Sequence, residues 1–91
     1  MNTKLKQAAE CLRDAIKDLR AAEVLLEQEG VMLVGVNMNW EQTNEVHVYT
    51  GIENLSEVVG AEMTHPVDRT YKYDEFKWEN ITFFQIVKEK K

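Results

Sequence analysis

Cysteine and proline each occur once in this chain, and no stretch of apolar residues approaches membrane length. A lone Cys11 cannot close an intramolecular disulfide, so the fold must be held by its own core, as suits a reducing compartment. A membrane span needs ~18 consecutive apolar residues, and the opening Met1-Asn2-Thr3-Lys4 leads into a helical pattern without a signal-peptide core. The expectation is a cytoplasmic protein that does not use a membrane. With 91 residues, 44% apolar and 30% charged, the chain suits a single domain, 1–91. Such a domain buries somewhat over ~60% of the surface its unfolded chain exposes.

Basic residues are missing from the middle. Residues 31–68 hold six carboxylates and no Lys or Arg, whereas 1–30 hold five basic and six acidic groups and 69–91 hold six and four, for a net charge of −5. Binding to nucleic acid or anionic lipid depends largely on Lys and Arg, so both are poor default partners. The central carboxylates keep loops and hairpin surfaces solvated, or they form an acidic docking face for a protein partner, with Glu41, Glu45, Glu53, Glu57 and Glu62 as its candidates.

Catalytic and ligand-binding signatures are absent as well. There is no His-x-x-x-His, no cysteine pair, no Asp-x-Asp run and no phosphate-binding or nucleophile-elbow glycine pattern. His47 alternates with Val46 and Val48 and reads as a solvent-side strand residue, and His65 before Pro66 reads as a loop residue. Cys11 lies two turns into a helix beside Glu10, Arg13 and Asp14, where it reads as a small, partly buried hydrophobe. The expectation is a non-enzymatic protein without metal or cofactor.

What is present begins with a seven-residue period. Leu5, Leu12, Leu19 and Leu26 alternate with Ala8, Ala15 and Ala22, and Ala9 and Ile16 widen the stripe. This pattern predicts one amphipathic helix over about 3–29, capped at Thr3 and stopped by Gly30, with Leu12, Ile16 and Leu19 at the centre of the core beneath a sheet. The alanines let a neighbour approach closely.

After Gly30 the period becomes two. Met32, Val34, Val36, Met38 and Trp40 share one face, expected to be buried; Glu41-Gln42-Thr43-Asn44 reads as a turn and Glu45 to Tyr49 alternates again, so 31–50 reads as an antiparallel hairpin. Thr50 and Glu53 have capping-box spacing ahead of a short helix near 51–59, with Leu55, Val58 and Val59 inward and Gly60 as the stop. His65-Pro66 interrupts the next segment. Residues 69–78 and 81–87 form a second hairpin around Glu79-Asn80. The fold class is therefore α+β, ordered α-β-β-α-β-β, with a four-stranded, mainly antiparallel sheet packed against a long N-terminal helix.

Two further expectations concern contacts. Arg69, Tyr71, Tyr73 and Lys77 share a face of the third strand, which makes Tyr71 and Tyr73 candidate interaction residues. The alternative function is a nucleic-acid-associated accessory protein that stacks bases there. The last strand is apolar on both sides, with Ile81, Phe83 and Val87 on one and Phe84 and Ile86 on the other, and a homodimer would cover the second face.

The closing segment, Phe76-Lys77-Trp78-Glu79-Asn80-Ile81-Thr82-Phe83-Phe84-Gln85-Ile86-Val87, resembles the last hairpin of small bacterial proteins encoded in prophages and mobile elements, with Glu79-Asn80 where such hairpins often carry glycine. The resemblance implies no activity. It implies a context in which small accessory proteins act by binding others.

Overall fold

The computed structural model describes residues 2–38, 44–68 and 70–87. Trp40, Arg69 and the expected turn at Glu41-Gln42-Thr43 lie outside the described residues. The elements are α1 (Thr3–Gln28), β1 (Met32–Met38), β2 (Asn44–Thr50), α2 (Ile52–Val59), β3 (Lys72–Trp78) and β4 (Ile81–Val87). The α+β class and the order α-β-β-α-β-β are as the periodicities predict.

The four strands form one sheet in the order β1-β2-β4-β3. β1 with β2 and β3 with β4 are antiparallel hairpins, and the central pair β2 with β4 is parallel, so the sheet is mixed. A parallel neighbour needs a long crossover, and here α2, the loop after it and β3 supply it. The β3–β4 turn is made by Glu79 and Asn80, both left-handed at φ 51° and 61°. Two consecutive left-handed residues give the turn whose twist matches that of the flanking strands.

Both helices stop in the same way. Val31 N–H donates to Leu26 O and Gly30 N–H to Glu27 O, while Ala61 N–H donates to Ser56 O and Gly60 N–H to Glu57 O. This is the Schellman closure around a left-handed glycine, and it joins Leu26 and Val31 to the core. The starts differ from expectation. Asn2, not Thr3, caps α1 by accepting from Leu5 N–H at 3.0 Å. Thr50 and Glu53 form no capping box: Gly51 occupies the N-cap without a side chain to offer, and Gln85 Oε1 of β4 accepts from Ile52 N–H at 3.1 Å.

The core lies on one sheet face and is roofed by α2, not by α1. Across the strands the register places Val36, Val46, Phe83 and Phe76 in one row. Phe76 and Phe83 stack with ring centroids 4.7 Å apart, and Val48 and Ile52 are buried with Phe76 at the centre. Leu55 and Val59 pack against them, while Val58, expected inward, is exposed.

Leu12, Ile16 and Leu19, expected at the centre of the core, are 62%, 58% and 40% exposed, and no residue of α1 is buried. The reason is topological. α1 attaches through a tight turn to β1, an edge strand, whereas α2 falls within the crossover that spans the middle of the sheet. α1 is ~39 Å long at ~1.5 Å per residue and projects from the sheet, which accounts for the 58 Å long dimension of the molecule. Met32, Val34, Val36 and Met38, expected to form one buried strand face, are exposed: β1 lies at the sheet edge, and a register shift between Leu33 and Gly35 breaks the alternation, so that Leu33 and Val36 align with Val48 and Val46 while Gly35 aligns with His47. Cys11, expected to be partly buried, is exposed on α1.

Candidate functional site

Two surfaces merit consideration: the sheet face opposite α2, and the stripe of α1. On the open sheet face the register aligns Gly35, His47, Phe84 and Glu75 in one row and Asn37, Glu45, Thr82 and Lys77 in the next. The His47 ring stacks on Phe84 at 4.6 Å and Tyr73 meets Phe84 edge-on at 6.2 Å. These rings half-cover Phe84, so the second apolar side of β4 finds shelter within the chain.

Beside them lies an open basin of about 480 Å³, whose charged lining comprises Glu45, Asp68, Glu75 and Lys77. Its rim is the loop after α2, which pairs with the outer edge of β3 through bridges Thr64–Glu75 and Val67–Lys72. Asp68 organises this rim. One carboxylate oxygen accepts from the backbone N–H groups of Thr70 at 2.9 Å and Tyr71 at 2.8 Å, and the other accepts from the Tyr73 hydroxyl at 2.7 Å. His65 Nδ1 lies 2.8 Å from Asp74 Oδ1, an ion pair when the ring is protonated.

The Tyr73 hydroxyl, and after it the two backbone donors, hold the Asp68 carboxyl below its ordinary 3.8, and Asp68 in turn raises the Tyr73 phenol above 10.0. A lowered carboxylate stabilises the fold above its unfolded value near 3.8, and this is lost as pH falls through the folded value. A raised phenol stabilises it below 10.0, and that is lost as pH rises through its folded value. Tyr73→Phe is expected to remove the alkaline limb and to move the Asp68 carboxyl back toward 3.8. A carboxyl-carbon NMR titration of Asp68 checks the shift; an unchanged midpoint would show that the backbone donors alone set it.

The candidate residues read from the sequence do not converge. Glu45 and Tyr73 share the basin, while Tyr71 does not line it and its ring stands 6.4 Å from that of Tyr73. Glu53 and Glu57 project from α2 and Glu62 from the following loop, all exposed, while Glu41 lies outside the described residues. Among the described residues no three His, Cys, Asp or Glu gather as a metal site requires, and no helix is long and apolar enough to cross a membrane.

The second surface was visible in the sequence as a core stripe and becomes a candidate only through its exposure. Leu5, Leu12, Ile16 and Leu19 stand on one side of α1 in water. Toward its C-terminal end Ile16, Leu19 and Glu23 face Leu33, Val34 and Val36 of β1 across a groove of about 240 Å³. β1 is an edge strand without a charged residue or proline, a feature that sheets open to water ordinarily avoid. No protein-family model, no curated protein and no solved structure matches the chain.

Proposed function

We propose that this chain is a non-enzymatic protein that works by binding other protein chains, with the apolar side of α1 as its contact surface. The observation that carries this reading is a 26-residue helix with a regular Leu/Ala stripe and no buried residue. Helices in proteins owe most of their stability to packing of the apolar face. Each Å² of apolar surface left in water forgoes roughly 25 cal/mol, and contiguous exposed patches mark interaction sites. The acidic central segment, scattered over β2, α2 and a loop, serves as solvated surface. The likeness of the closing hairpin to prophage and mobile-element proteins fits a small accessory protein that acts through such contacts.

The alternative class is nucleic-acid binding at Tyr71 and Tyr73. The paired rings favour it, but Glu45, Asp68 and Glu75 stand around Tyr73 and, among the described residues, Lys77 is the one cation lining the basin, a balance that disfavours a phosphate backbone.

Photo-crosslinking in the source cell separates these readings. A photoreactive residue at position 12 should capture protein chains, including further copies of this one, while the same residue at exposed position 57 on α2 should capture few. Equal yields at both positions, or capture of nucleic acid by a probe at position 71, would overturn the reading.

A further inference from the structure

We infer that the occupant of the α1 stripe is the α1 of a second copy running antiparallel, an inference that rests on the interaction reading above. Two independent features of the helix select this arrangement.

The first is volume. A parallel pair in register would set Leu against Leu and Ala against Ala in alternate layers, wide and then narrow. An antiparallel pair opposes large residues to small ones, as interdigitated packing requires. One register satisfies every layer: Leu5 meets Ala22 of the second copy, Leu12 meets Ala15 and Leu19 meets Ala8, with Ala9 beside Ile16 at the flank. The overlap spans about five turns, or ~27 Å at ~1.5 Å per residue. It brings Leu5 of the second copy to the level of Leu19 and Glu23, where the groove against β1 opens.

The second is charge. α1 has no acidic residue in its first turn and no basic residue in its last, and it carries Lys4 and Lys6 at its start and Glu23 and Glu27 toward its end. This order opposes the helix dipole, which favours acidic residues at the N-terminus and basic ones at the C-terminus. In an antiparallel pair the basic start of each helix lies beside the acidic end of the other, and the opposing dipoles run side by side. In a parallel pair like charges would meet at both ends.

The native Cys11 supplies a test of geometry. In this register position 11 of one copy faces position 18 of the other along the same flank. Within one helix these positions are ~10.5 Å apart, beyond the ~7 Å that a disulfide can bridge. Asp18→Cys, mildly oxidised at low micromolar concentration, should therefore yield covalent dimers whose peptide map shows the 11–18 bond. Sedimentation equilibrium of the unaltered protein should give twice 10.6 kDa, and Leu12→Glu should weaken the association at least ~100-fold while the near-ultraviolet circular dichroism of the sheet core persists. A dimer that forms no 11–18 bond would overturn the antiparallel register. A monomer mass at high micromolar concentration with rapid amide exchange along α1 would overturn the pairing and leave the stripe free for a different protein. A monomer with α1 strongly protected, and unfolded by Leu12→Glu, would show the helix closed on its own sheet and would overturn both readings.

Discussion

Phe76→Ala is expected to cost ~3–5 kcal/mol, a large part of the stability of a domain this small. Phe76 is 1% exposed, stacks on Phe83 and lies beneath α2, so its removal leaves a hole bordered by β-strand backbone on one side and Ile52 on the other. Neither wall collapses easily, because Ile52 is tied to β4 through Gln85 and Phe83 sits on a central strand. At roughly 4–8 °C per kcal/mol for a domain of this size, the melting temperature should fall by well over ~10 °C. Leu12→Ala, measured at concentrations too low for association, should move it little, because Leu12 is already in water. Thermal denaturation of the two variants side by side checks the assignment of the core. Comparable losses in both would mean that α1 and α2 share the roof.

The second large effect is expected at Gly51. Its φ is +92°, and a Cβ there would stand 2.6 Å from Gly30 O and 2.9 Å from Val31 Cα. Both obstacles are backbone in the turn that joins α1 to β1. A left-handed conformation alone costs a non-glycine residue ~1–2 kcal/mol, and relief of the contact must separate the start of α2 from the end of α1. Gly51→Ala should therefore lose more than ~2 kcal/mol and disturb the amide signals of Gly30 and Val31. Gly35→Ala provides the comparison: nothing lies within 4 Å of its Cβ position and its φ is not positive. Urea denaturation that ranks Gly35→Ala as the more damaging substitution would contradict the junction as described.

The stops of both helices and the turn of the second hairpin were legible because they depend on neighbours in sequence. Gly30 and Gly60 stop the helices, and Glu79-Asn80 turns the chain between β3 and β4, all at the expected positions. The capping box at Thr50 and Glu53 failed for a non-local reason. Its place was taken by Gln85, thirty-three residues away from Ile52, which comes within reach only when β4 pairs beside β2.

The surface proposed for binding was legible in composition but not in role. The Leu/Ala period identifies which side of α1 is apolar, and it carries no information on what that side meets. The sequence alone determined the elements, their order, the two-sided apolar character of β4 and the acidic middle of the chain. Tertiary structure alone decided that β2 and β4 run parallel, that His47 and Tyr73 shelter Phe84, and that α2 rather than α1 roofs the core. The physical reason is competition for one sheet face. Both helices present an apolar side, but α2 is carried across the central strands by the crossover that joins them, while α1 is attached to an edge strand and is left with its stripe in water.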